Sequence, residues 1–541
     1  MTEGYPRIAP RRLTRLGWFF ATGFGLVSGC TPAFEVDVLL EDVNVVDVRA
    51  GEVVSSLDVL VDEGVVVAVI PHGDERVRAE TVVALDGGYV VPGLWDMHAH
   101  LRTYEGQDVL PMFLAHGITG IRDLGLTDFR LVRRWERESA RGALWGPRIV
   151  SSGVIVEGAT PRFASSLSVT AVDQITPALD SLVEQGVEII KLFQNLQGPV
   201  YEALVTYAVD RGLQSAGHIP TEWDQVRGAE AGLGSIEHFW GMSNTVSVSD
   251  GSPSSEDLDR LASALLAAGT FQSPTLVNNP LTAEALFGDD ESLAYTPAYH
   301  RAWWSRLSEG LVAGMTPADS QALRAAASLD RVIAGELARR GVKFLAGTDT
   351  PNPYLPAGLS LHAELRAFVE SGMTPAEALR TATVYPAEYF RREGQWGAVD
   401  EGYEADLVLL AASPLEDIAN TQRVVGVVTR GRYLSLEAIE DLKRAHRIRL
   451  ATRSAEDLDQ AIYMEVRRNG VEGAKRLYPD PLREGDLVAQ PPHLLRLGQL
   501  LVESGLPDQA RQALEWNLEL FPGDAATVVA LEALPDSRPP T

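Results

Sequence analysis

The sequence predicts an α/β fold: a (β/α)8 TIM barrel over residues 91–390, a small β-sandwich domain assembled from both of its flanks, and a C-terminal helical extension. Three observations predict it. Through the middle of the chain, short apolar runs alternate with helical patterns, as βα units do. Strand-rich segments lie on either side, at 30–90 and 391–434. From 435 to 541 the apolar spacing becomes helical.

The first element reads as a leader. Arg7, Arg11, Arg12 and Arg15 precede an uncharged stretch, Leu16 to Val27. It is too short to span a bilayer comfortably and suits an export signal. Val27-Ser28-Gly29-Cys30 resembles a bacterial lipobox, which implies loss of residues 1–29 and a lipid anchor on Cys30. The expected location is an extracytoplasmic membrane face, such as the periplasmic side of an outer membrane. Cys30 is the sole cysteine, which excludes an intrachain disulfide and a cysteine metal cluster.

The flanking strands come next. Phe34 to Leu40, Val43 to Val48, Leu57 to Val61 and Val65 to Ile70 are apolar or β-branched runs. The pattern returns at Ala405 to Leu410 and Val424 to Thr429, so one small domain from both ends is the simplest arrangement. Between them lie eight candidate barrel strands: Val90 to Met97, Ile118 to Arg122, Pro147 to Ser152, Val187 to Leu192, Leu213 to Gly217, Gly234 to Glu237, Thr270 to Leu276 and Val342 to Ala346. Helices are expected at Ile175 to Gln185, Tyr201 to Arg211 and Ala325 to Arg340, and 278–323 reads as an insertion over the mouth. In the tail, Leu495 to Val502 and Asp508 to Phe521 resemble a tetratricopeptide-type hairpin at 493–532.

Length and charge bound the function. With 541 residues, 45% of them hydrophobic, the chain can bury more than one core. A formal charge of -27 argues against a nucleic-acid partner.

The chemistry lies where the strands end. His98 and His100 alternate along the first barrel strand and so share a face. Taken alone they could be polar residues at a strand edge. Lys191 interrupts the apolar run Ile189-Ile190-Lys191-Leu192, a costly place for an ammonium unless it reaches the rim or is altered. His218 ends the fifth strand, His238 the sixth and Asp349 the eighth. Because C-terminal strand ends converge in such barrels, these groups are expected to meet.

Those motifs resemble the amidohydrolase superfamily over about 34–434, especially its prolidase-like, imidazolonepropionase-related members. The matching runs include Pro92 to Leu101, Gly117 to Gly125, Gly217 to Pro220, Gly232 to His238, Gly347 to Asp349 and Met373 to Thr383. The resemblance implies two divalent ions, zinc by default. His98, His100 and Asp349 would hold one and His218 and His238 the other, with Lys191 N-carboxylated and bridging both. It further implies a C–N bond hydrolase in which a bridging hydroxide attacks and Asp349 shuttles the proton. If one ion binds and Lys191 stays free, His218 or His238 would steady the oxyanion.

The implied substrate is a small amide or dipeptide-like molecule. A cyclic amide or amidine, or a lactone or ester, is the alternative for the same centre. Arg162, Tyr201 and Arg227 are candidates to grip a substrate carboxylate, and Trp223 and Phe239-Trp240 form either an aromatic wall or ordinary packing. Asp123 either orients one of the first two histidines or caps a turn, with Arg122 its candidate partner, and His362 is either structural or at the mouth. Homo-oligomerisation and protein docking through the C-terminal helices are both compatible with the sequence.

Overall fold

Apolar and β-branched runs from the two ends of the chain share one sheet. Phe34–Asp47 pairs antiparallel with Glu52–Asp62, and its other edge is divided between Val77–Ala84 and Tyr89–Pro92, both parallel to it. Tyr89–Pro92 then pairs with Leu407–Leu410, which leads to Val424–Thr429 and Arg432–Ser435. Where a sandwich was expected, hydrogen bonding joins both flanks in a single eight-stranded sheet. Val38, Leu40, Val59, Val61, Leu407 and Leu409 form its core. The computed structural model describes residues 34–73, 77–101, 106–127, 129–163, 166–296, 315–452, 454–477 and 491–534. The expected leader and Cys30 fall outside these residues, as does 297–314 within the expected insertion.

The barrel's first strand is Leu94–Ala99, and it runs parallel to Ile118–Asp123. The expected strand Val90 to Met97 is therefore two elements divided at Gly93. A Cβ at Gly93 would lie 1.9 Å from Thr119 Oγ1, so only glycine lets the chain pass from sheet to barrel so close to its neighbour. The third strand is bent. Its first half, Arg148–Ser151, pairs with Ile118–Asp123, and its second half, Ile155–Glu157, pairs with Ile189–Leu192. Parallel pairing continues through Gln214–Gly217, Ser235–Glu237 and Phe271–Ser273.

The eighth strand is a thread of bridges. Gln272 pairs with Phe344 on one side, and Ala99 pairs with Thr350 on the other. The Met97 N–H donates to the Ala346 carbonyl at 2.7 Å, and the Asp349 N–H donates to the His98 carbonyl at 2.7 Å. These bonds close the ring and set Asp349 beside His98.

The helix Ile175–Glu184 begins where expected, whereas two other barrel helices begin earlier, because proline and capping residues start them. Gly198–Asp210 opens with Pro199, and Pro317–Arg339 opens with a box in which Thr316 and Asp319 cap each other. The insertion contains the helix Pro280–Phe287.

The extension consists of the helices Leu436–Thr452, Ser454–Leu477, Pro491–Glu503, Pro507–Leu520 and Ala525–Glu532. Val466, Leu494, Leu497 and Trp516 belong to a core of its own. It meets the barrel mouth through Arg467, whose guanidinium donates to the Leu126 carbonyl at 3.4 Å. Among the described residues no helix is long and apolar enough to cross a membrane.

Candidate metal centre

Strand alternation turns His98 and His100 to one face, and the ring closure brings Asp349 to them. Asp349 Oδ1 lies 3.5 Å from His98 Nε2 and 3.2 Å from His100 Nε2, while its Oδ2 lies 3.7 Å from His238 Nε2. His98, His238 and Asp349 form a group whose ligand atoms all lie within 4.8 Å of one another. The His98 ring centroid is 5.3 Å from that of His100 and 4.4 Å from that of His238.

The far side of each imidazole is taken by an acceptor. His98 Nδ1 faces Glu237 Oε2 at 2.6 Å, His100 Nδ1 faces the Gly125 carbonyl at 3.3 Å, and His218 Nδ1 faces Gln194 Oε1. His238 Nδ1 faces Thr275 Oγ1 at 2.7 Å, and that hydroxyl already donates to the Pro274 carbonyl. Each Nδ1 therefore carries the proton, and each Nε2 is left with a bare lone pair. Burial, reinforced by the charge of Lys191, holds His98 and His218 well below the ordinary imidazole range. Burial pulls His238 down to about 4.

Bare nitrogens facing a carboxylate repel each other unless a cation stands between them. His98 Nε2 is buried and has no hydrogen-bond partner. A divalent cation supplies the missing positive charge, and imidazole with carboxylate is a donor set suited to zinc. The residues fit a metal.

Glu237 is the residue that the strand pattern did not single out. It is fully buried and accepts from Arg122 Nη2 at 2.8 Å and from Ser235 Oγ at 2.6 Å while holding His98. Arg122 thus pairs with Glu237 and not, as the sequence suggested, with Asp123. Adjacent strand residues point to opposite faces, so the sequence neighbour is the wrong partner. Asp123 accepts from the Leu101 N–H at 2.9 Å and from Ser151 Oγ at 2.6 Å, bracing the turn after the first strand. Two amides, Asn278 Nδ2 at 2.7 Å and Asn352 Nδ2 at 2.6 Å, donate to Asp349 Oδ2.

Lys191 and His218 lie at the edge of this group. Lys191 is 2% exposed, and its Nζ has no hydrogen-bond partner. Burial pulls it down to about 8. The His218 ring sits between Phe193, at 4.6 Å, and Trp240, stacked at 4.9 Å.

The remaining candidates divide. Trp223 is buried against Tyr201, 5.2 Å between ring centroids, which is ordinary packing. Tyr201 is itself fully buried. Arg227 lies over Trp223 and pairs with Glu202 at 3.1 Å. Arg162 is exposed, and its charge reaches His218. His362 is structural: its Nε2 donates to the His116 carbonyl at 3.0 Å, and its Nδ1 meets Thr421 Oγ1 at 2.9 Å.

Comparison with known proteins agrees with this architecture. The structure resembles a bottromycin amidohydrolase at TM-score 0.62, with 25% identity over 76% of this chain and 90% of that one. It also resembles a Xaa-Pro dipeptidase with methionine in its active site, at TM-score 0.57 with 20% identity over 74% of this chain and 99% of that one. In sequence, 81 residues are 41% identical to an ochratoxinase of Aspergillus niger, a match over 15% of this chain and 16% of the relative. A dihydroorotase of Carboxydothermus hydrogenoformans is 33% identical over 101 residues, 17% of this chain and 22% of that enzyme. The chain thus matches less than a quarter of the length of either curated relative. The amidohydrolase family model matches residues 89–434, which contain every group of the metal centre, and the chain belongs to that family.

Proposed function

We propose that this protein is a metal-dependent hydrolase that cleaves a C–N bond in a small amide or peptide-like substrate. One observation carries the reading: the buried His98 and half-buried His238 have their Nδ1 protons engaged and turn bare Nε2 atoms toward the Asp349 carboxylate. His98, His100, His238 and Asp349 would hold a divalent ion, zinc by its ligand type. Bound there, the ion would acidify water and polarise a carbonyl. Asp349, its Oδ2 held by two amides, accepts the proton of the attacking water and passes it to the leaving nitrogen.

In the two-ion form of the same proposal His238 would join His218 on the second ion, leaving the first to His98, His100 and Asp349, with N-carboxylated Lys191 between the two. An amine that burial holds near 8, with no hydrogen-bond partner, has an uncharged fraction able to add CO2. The resulting anion would remove a buried cation that has no hydrogen-bond partner, only the more distant charges of Glu237 and Asp349. The similarity to a bottromycin amidohydrolase, a dipeptidase and an ochratoxinase supports an amide bond as target. Arg162 at the mouth is the proposed grip for a substrate carboxylate.

The test is hydrolysis of N-acyl amino acids, dipeptides and lactones before and after chelation. Amide cleavage that chelation abolishes and zinc restores is the expected result. Cleavage indifferent to chelation refutes the reading, and cleavage of lactones alone moves it to the ester alternative. We further propose that the mature chain is a lipoprotein anchored at Cys30 on an extracytoplasmic membrane face, and that the hairpin at 493–532 is tetratricopeptide-like.

A further inference from the structure

The helices Pro280–Phe287, Pro317–Arg339 and Leu359–Glu370 line a half-open cavity of about 240 Å³. Three arginines line it. Arg324 and Arg331 are seven residues apart on one helix and so share a face, and Arg366 comes from another. Among the lining residues Glu370 is the one acid, and the buried Glu364 lies within electrostatic reach of Arg331. In a chain of formal charge -27, this is a local excess of positive charge.

The guanidiniums are not satisfied by one another. Arg331 Nε is buried without a hydrogen-bond partner, and Glu370 Oε2, its acid neighbour, is 4.0 Å away, beyond hydrogen-bond reach. No ion pair is found for Arg324 or Arg366 among the described residues. An unmatched buried donor is costly, and clustered like charges add to the cost. An anion in the cavity relieves both.

The rest of the lining defines that anion. Val277, Leu281 and Ala367 give the cavity apolar lining, and the exposed Leu286 extends it at the mouth. Planar guanidiniums match a carboxylate, on which they donate two parallel bonds. The volume lies below the roughly 300–1,000 Å³ of pockets for drug-sized ligands, so the guest is small. We propose that this cavity binds a small organic carboxylate with an apolar body, its acid group held by Arg324, Arg331 and Arg366.

Isothermal titration of the full chain with hexanoate tests this, with inorganic phosphate as the contrast. Carboxylates also bind metal centres, so the titration is repeated in a His98→Ala variant. One saturable hexanoate site is expected in both proteins. Its affinity should fall at least tenfold in Arg331→Gln and in Arg324→Gln/Arg366→Gln, the latter pair lying at the cavity rim, where fold is not at risk. Absence of saturable binding, loss of binding in His98→Ala, or equal affinity in folded arginine variants would overturn the proposal. Phosphate binding as tight as hexanoate would overturn the apolar body of the guest.

Discussion

Nδ1 of His98 lies 2.6 Å from Oε2 of Glu237, and both side chains are completely buried. A carboxylate behind a ligand imidazole fixes its tautomer and raises its basicity. Glu237→Gln keeps the shape but removes the charge. Metal affinity should fall about 10- to 100-fold, the usual effect of losing such a partner. Competition with a chelator measures it, and an unchanged affinity in a folded variant would show that Glu237 only fills space.

The two amides on Asp349 invite a second substitution. Asn278→Ala or Asn352→Ala removes one donor to a charged oxygen, an interaction of about 1.5–3 kcal/mol. If Asp349 handles the proton, kcat should drop roughly 10- to 100-fold while KM changes little. Steady-state kinetics on whichever amide the wild type cleaves decides it. A rise in KM at constant kcat would instead place the asparagines in substrate binding.

The barrel and most of the centre were legible because strand periodicity is local. Two residues suffice to show that His98 and His100 share a face, and βα alternation says where strand ends converge. Glu237 could not be read as the partner of His98, because 139 residues separate them and only ring closure brings them together. From the sequence Arg122 reads as a partner of its neighbour Asp123 for the same reason. Asn278 sits at the start of what reads as an insertion, so nothing local marks it as a neighbour of Asp349. The split at Gly93 depends on how closely Thr119 packs, a tertiary fact absent from the apolar run Val90 to Met97.

Stability should depend on pH through Glu364. Burial pushes this carboxyl up to about 8, against the N–H bonds it accepts from Leu276 and Val277. Its value in the unfolded chain is about 4.3. A folded-state value above the unfolded one means that the native state holds the proton more tightly. Its stabilising contribution is complete below the unfolded value and is lost as pH rises through the folded one. Unfolding free energy should therefore fall between about pH 5 and 8. Glu364→Gln should flatten that fall in denaturant titrations, whereas parallel profiles for variant and wild type would exclude Glu364 as its source.

The proposed anchor predicts a change of compartment. Expressed with its leader in a bacterium, the wild type should sediment with membranes. Cys30→Ser should leave the chain unlipidated, with no acyl mass on the protein. A wild type that carries no acyl mass would refute the anchor.

Metal content per chain, measured by elemental analysis on purified wild type and on folded His98→Ala/Asp349→Ala, tests the central claim most directly. The wild type should carry one or two divalent ions and the double variant none. A wild type that takes up no ion after reconstitution, or a double variant that holds as much as the wild type, would contradict the account.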